Sequence, residues 1–354
     1  GTPITIRHLV HHTSGLRDQW TLWAMAGGRL DDVITQQDLL RLIQRQRELN
    51  FPPGSEHLYS NTGYMLLAEI VARVSREPFG VWMKRNVFDP LGMKHTQIYD
   101  DHERLVKGRA DSYRRNQNGW SKSVLSYANS GATSLFTTVG DLALWLDNFR
   151  TAKVGGPAVV AHMKQRGVLT KGDTIDYAFG IGHGKHRGLS MLAHSGGDAG
   201  FRTYVAYLPE LEAGVIAVGN DATFNPGQVS RDVAEAFFGD RMTPPEDPTS
   251  PPTPSRAQPT PWKPSVQELE KYVGVYYSPE LETRYQVVLH NNALVARHRR
   301  NGDITLNPDS ADKFRASSWY FSNVDFERDA QGKVVAMRVS SGRVRGVRFE
   351  RIEK

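Results

Sequence analysis

The chain has 354 residues, 39% of them hydrophobic, with seven Trp, 13 Tyr and 14 Phe; this suits about two packed domains and is too apolar for disorder throughout. Its net charge of +6 is scattered rather than gathered in basic blocks interleaved with aromatics, which argues against nucleic-acid binding. There is no cysteine, which excludes disulfides, thiol catalysis and thiolate-bound metals, and no apolar run long enough to cross a bilayer.

Residues 3–16 read as a short helix with Ile6, Leu9 and Val10 on one face, stopped at Ser14-Gly15. His8, His11 and His12 have the i, i+3, i+4 spacing that can grip a metal on a helix. No Glu sits between them and no further ligand announces itself, so they read as packing or loop-fixing residues; neither a metal nor a cofactor is expected. Residues 18–29, with Trp20 and Trp23, read as a loop or lid, and residues 35–48 as an amphipathic helix capped at Thr35. Pro52-Pro53-Gly54 then breaks the chain. Met65, Leu66, Ile70, Val71 and Val74 recur at helical spacing, so a helix begins near Thr62, with Asn61 or Thr62 placed to cap it. Tyr59 and Asn61 fall on a short extended segment just ahead of that helix. Two residues apart, they point to one side and can offer a phenol and a carboxamide to one pocket.

Residues 80–88 suggest another helix, ended by Asp89-Pro90-Leu91-Gly92-Met93. The polar, aperiodic stretch 99–127 is long enough to line or cover a site. Gly131-Ala132-Thr133-Ser134-Leu135-Phe136-Thr137-Thr138 precedes a helix at 139–149. Residues 191–194, 203–208 and 214–219 read as strands and 229–238 as a helix: an α+β architecture with an antiparallel sheet flanked by helices. From 243 to 264, nine of 22 residues are proline, a semi-rigid linker. Beyond it the period is two. Short strands at 273–277, 285–289, 294–298, 319–321, 325–328, 334–339 and 347–351, turning at Asn291-Asn292, Asn301-Gly302 and Gln331-Gly332, predict a small all-β barrel. The basic run Arg297-His298-Arg299-Arg300 reads as a solvated turn.

Tyr59-Ser60-Asn61 ahead of an amphipathic helix resembles the YxN element of the serine β-lactamase and penicillin-binding-protein superfamily, and more closely its class C-like esterase and D-aminopeptidase relatives. The run from Ile4 to Leu16, ending His12-Thr13-Ser14-Gly15-Leu16, is similar to the lead-in of that family, and His194-Ser195-Gly196-Gly197 to its HxG strand. Pro90-Leu91-Gly92-Met93 and the Gly131 segment resemble two further stretches. Thr133 and Ser134 stand where the family has small glycines, a departure that narrows the pocket. The C-terminal part resembles the lipocalin-like domains appended to several such hydrolases. The resemblance divides the chain into a hydrolase domain at 1–242, the linker at 243–264 and the barrel at 265–354.

It implies a serine hydrolase cleaving a small ester, peptide or amide through an acyl-enzyme, with no nucleic-acid partner, no membrane span and no particular oligomer. Tyr59 would be the base of acylation or the proton donor to the leaving group, and Asn61 would orient the lysine or the substrate amide. His194 stands where lactam-processing relatives carry lysine; an imidazole offers a hydrogen bond in place of a permanent charge, which favours an esterase or a peptidase/amidase. Ser195 and Gly196 would line the substrate, and the Gly197 N–H would be an oxyanion donor. The plainer alternatives are a tyrosine buried against backbone, an asparagine that only caps a helix, and a β-bulge at the glycines.

The family's nucleophile and lysine lie in an SxxK element, and the one Ser-x-x-Lys here, Ser310-Ala311-Asp312-Lys313, falls in a polar turn of the barrel. No Gly-x-Ser-x-Gly elbow is present. Because the chain opens on Gly1 inside a motif, the nucleophile and any signal peptide are expected upstream, in a periplasmic or extracellular parent. The 354 residues alone are expected to be inactive and to leave a sheet edge uncovered. The competing readings are a catalytically inactive binding or regulatory protein of the same fold, and a metallohydrolase built on His8, His11 and His12.

Overall fold

The computed structural model describes residues 2–245 and 262–353. Most of the expected linker, residues 246–261, lies outside the described residues. The α+β expectation holds. Strands Ala213–Gly219, Phe201–Leu208, Leu189–Asp198 and Gly182–His186 form one antiparallel sheet in that order. Alternation places Leu192 and Tyr207 on one face, where Leu146 of the Val139–Thr151 helix covers them. Leu189, Leu208 and Val215 point to the other face and pack on Ala234 of the Pro226–Phe238 helix. The sequence reading missed the Gly182–His186 strand, whose Gly-His-Gly-Lys-His has no apolar alternation, and the Gly156–Met163 helix.

The C-terminal strands close an eight-stranded antiparallel barrel from Gly274–Ser278 to Val344–Ile352, each strand paired with its neighbour in sequence. Ile304–Ser310 and Lys313–Ser318 were not expected as strands, because Pro308 and a polar run mask their alternation. Ser310 and Lys313 face each other across their turn, so the Ser-x-x-Lys is a hairpin end. The interior is filled by side chains, among them Tyr276, Tyr285, Phe314, Phe321, Met337 and Phe349.

The expected lid at 18–29 is instead the helix Gln19–Met25, and its destination explains the two tryptophans and the apolar residues around them. Leu22 and Met25 join the barrel's own core, the Tyr285 hydroxyl donates to the Met25 carbonyl (3.0 Å), and Asn301 donates to that of Ala24 (3.0 Å). Arg17, 1% exposed, makes a two-pronged bond to Glu280 at 2.7 and 2.9 Å and also donates to the Arg345 carbonyl. Core and ion pair thus run without a break from the start of the chain into the barrel.

The first helix is Ile6–Val10, shorter than expected: His12 takes a left-handed conformation (φ 54°) and turns the chain out. His8 serves in its capping box with Thr5, so the three histidines do not share a helical face. Residues 12–17 instead run beside 50–62. The Asn50 amide donates to the Gly15 carbonyl, that of Gly54 to Thr13, that of Leu58 to His12, and the Thr62 hydroxyl to Arg17. Gly15 needs its φ of 74° and its missing side chain here, since a Cβ would sit 2.1 Å from the Phe51 carbonyl oxygen. His12, 1% exposed, accepts the Ser60 amide at Nδ1 (3.1 Å), and burial holds its pKa down at about 3.

Two outcomes follow from these contacts. Glu280→Gln leaves the buried Arg17 guanidinium with only the half-exposed Glu48, 3.6 Å away, as counter-charge, and should cost about 2–4 kcal/mol in denaturant unfolding, with barrel and hydrolase part melting together; a loss below 1 kcal/mol would contradict the fastening. His12 stays neutral in the fold, so its contribution is present above about pH 6.5 and is lost as pH falls toward 3. His12→Asn keeps an acceptor for Ser60 without titrating. Wild type should therefore lose about 2 kcal/mol more than the variant between pH 7 and 4.5, whereas parallel losses would exclude the role.

Candidate active site

Tyr59 sits on the extended segment just before the Asn61–Ser75 helix, where Ser60 occupies the N-cap position with no side-chain capping bond. Asn61 is thus the first helical residue, not the cap. The cap comes from another element: Asp18, 2% exposed, accepts both the Asn61 amide (2.8 Å) and the Asn61 Nδ2 (2.7 Å) at Oδ2. Its Oδ1 accepts from Trp20 and Thr21 at the start of its own helix. One carboxylate therefore starts two helices and fixes Asn61, whose amide nitrogen points inward to Asp18 rather than into a pocket.

Tyr59 is half-buried, and its ring lies 4.1 Å from His12 and 6.0 Å from His194 between centroids. Its hydroxyl has no hydrogen bond to protein among the described residues, unlike Tyr64, which donates to the Val10 carbonyl. The tyrosine held by backbone is thus not what the structure contains at 59. Burial raises the phenol's pKa, the Arg343 guanidinium opposes that, and Asp18 and Asp198 add to it.

Across from Tyr59 runs the strand end 194–198. The ladder to Phe201–Leu208 is continuous through Gly196–Thr203 and Gly197–Arg202, so there is no bulge. Neither glycine has a positive φ, and a Cβ at either would meet only ordinary contacts, 3.5 and 3.6 Å away. The fold does not require glycine at these positions. On its other side the strand is paired only up to Ala193, opposite Gly182; among the described residues, 194–198 have no strand partner on that side, and Ser195, Gly196 and Gly197 are exposed. His194 spends both ring nitrogens within the protein: Nδ1 donates to the Ser195 carbonyl (2.7 Å), and Nε2 accepts from the Tyr177 hydroxyl (3.1 Å). Those partners fix a neutral tautomer, and burial lowers its pKa. The bond expected to reach substrate is thus already occupied.

Tyr177 carried no sequence signal, being an isolated tyrosine in a loop. Arg343, also missed, lies at the tip of the last barrel hairpin, 284 residues from Tyr59 in sequence. Its guanidinium stands 4.4 Å over the Tyr59 ring, with Nη1 3.9 Å from Asp18 Oδ2. Its carbonyl accepts from Asn50 Nδ2 (2.9 Å) and from the Asp18 amide (3.4 Å). The barrel therefore reaches the mouth of the groove. The hairpin Ser112–Asn116 and Gly119–Ser123, inside the aperiodic stretch, lines a cavity of about 230 Å³ with Phe201, the residue paired with Asp198. Among the described residues, no cluster of three or more His, Asp or Glu suits a metal, and no helix is long and apolar enough to cross a membrane.

Comparison with known proteins places the chain in a family. A family model described as Beta-lactamase matches residues 1–239. A penicillin-binding protein of Bacillus subtilis is 30% identical over 228 residues, 56% of this chain and 48% of its own length. A D-aminopeptidase of Gluconobacter oxydans is 22% identical over 213 residues, 60% of this chain and 41% of its own. The chain spans about half the length of the curated relatives it matches. In fold it is similar to the octameric penicillin-binding protein homologue from Pyrococcus abyssi (TM-score 0.58, 20% identity), over 98% of this chain and 78% of that one. By the extent of that family match, this chain belongs to the beta-lactamase family.

Proposed function

We propose that the chain forms the substrate groove of a serine hydrolase that opens a small ester, peptide or amide through an acyl-enzyme. The observation that supports this most is the glycine edge at 196–197, open to solvent, unbulged and set opposite a phenol with no hydrogen-bond partner among the described residues. An extended substrate would add to that edge by backbone pairing, with Gly197 N–H as an oxyanion donor and Ser195 and Gly196 along the acyl group. Tyr59 moves the proton to or from the leaving group. Asn61 acts with Asp18 as the anchor of that segment, and His194 as a neutral prop of the edge, held by Tyr177.

A phenolate at Tyr59 needs a cation, and in this reading Arg343 supplies part of it from the barrel. The serine and lysine lie outside these 354 residues, and the division into 1–242, a Pro-rich linker at 243–264 and a barrel at 265–354 belongs to the same proposal. So does a periplasmic or extracellular location. Amide and peptide substrates are favoured by the D-aminopeptidase relative.

In the complete reading frame, Tyr59→Phe should fold normally and lose about 10²–10⁴-fold in kcat/KM on p-nitrophenyl acetate and amino-acid p-nitroanilides. Absence of any covalent adduct between that protein and a serine-acylating probe would contradict the reading. The 354-residue chain should hydrolyse neither substrate; rapid turnover by it, lost on Tyr59→Phe, would show that the nucleophile lies within these residues. Tyr177→Phe removes a donor that favours neutral His194. The imidazole pKa should rise, shifting the acid limb of kcat/KM upward by about one pH unit, and an unmoved limb would exclude Tyr177 as its prop.

A further inference from the structure

Asp198 ends the glycine edge, at the turn into the next strand, where Ala199 takes a φ of 49°. Its carboxylate is half-buried, and alternation along the strand puts it on the same face as His194. Such a group ordinarily pairs with a cation. Among the described residues, none lies within ion-pair distance. Arg202, on the adjoining strand, directs its Nη1 to the carbonyls of Ala199 (3.1 Å) and Phe201 (2.7 Å) instead. One hydrogen bond reaches the carboxylate, from the Thr133 hydroxyl to Oδ2. Thr133 is the residue that replaces a small family glycine, so this chain has spent a side chain on aiming Asp198. The remaining oxygen is available to a visitor.

We propose that Asp198, aimed by Thr133, is an ammonium subsite, and that the groove takes substrates with a free amine near the scissile carbonyl. The inference rests on the reading of the groove as the substrate site. Burial raises the Asp198 pKa to about 6, against the Thr133 hydrogen bond and the more distant Arg202 charge, which both pull it down, and leaves it ionised at neutral pH. A bound ammonium supplies the direct ion pair that Asp198 lacks. A neutral N-acyl group offers Asp198 no such partner and leaves the carboxylate desolvated against it.

The test is binding, which needs no turnover. D-phenylalaninamide and its N-acetyl derivative differ at the amine alone, and each is titrated into the 354-residue chain near pH 7 with NMR detection. The amine should bind about 10-fold or more tighter than the acetylated probe. Asp198→Asn, nearly isosteric and checked for folding by circular dichroism, should abolish the difference, while Asp198→Glu keeps part of it. Equal binding of both probes by wild type, or an undiminished preference in Asp198→Asn, would overturn the subsite. Turnover of both probes at equal rates by the complete reading frame would sink the subsite and spare the hydrolase. A preserved amine preference in binding, with no turnover of either, would do the reverse.

Discussion

The buried carboxylate of Asp18 is the constraint on which the site rests. Four N–H donors from two helix starts converge on its two oxygens. Each helix start has amide groups that lack intrahelical partners, and a charged acceptor satisfies them more strongly than a hydroxyl would. Because the two starts share one acceptor, the Tyr59 segment cannot move independently of the Gln19–Met25 helix. That helix is in turn buried in the barrel's core, and the Arg343 turn closes over the same carboxylate. The phenol's position is thus set jointly by the beginning and the end of the chain.

This arrangement brings the barrel's rim to the candidate site rather than leaving the barrel an appended module. Its interior is packed with aromatic and branched side chains, so what it offers is its rim: Arg343 over Tyr59, and the Glu280 bond that anchors Arg17 next to Asp18. A groove made in this way has an acidic end at Asp198 and a basic end at Arg343, with an unpaired backbone edge between. Under the proposed function, charge at both ends and main-chain pairing in the middle suit a short, extended, polar acyl donor.

The architecture and the two facing motifs were legible in the sequence because each is local. Alternating strands, the Pro-Pro-Gly break and the glycines after His194 all announce themselves within a dozen residues. What was illegible is long-range or polar. Leu22, Trp23 and Met25 read as a loop because most of their apolar partners lie some 250 residues or more away in the barrel. Asp18 looked like an ordinary acidic residue, since its acceptors' load becomes visible only when Asn61 is brought beside it. Expecting Asn61 itself to cap the helix followed correct local chemistry; a better, charged cap from elsewhere won. His194 was read as free to meet substrate, and only the fold reveals that Tyr177 and Ser195 occupy it.

The central claim is that the edge at 194–198 and the Tyr59 phenol flank one acyl-transfer groove. A crystal structure of the complete reading frame with a peptidyl boronate tests it most directly. The account places a boronate oxygen about 2.7–3.1 Å from the Gly197 amide nitrogen, the peptide backbone paired along the free edge, and the Tyr59 hydroxyl within hydrogen-bond reach of the boronate. A boronate bound away from that edge, or one bound there with Tyr59 turned from it, would contradict the account.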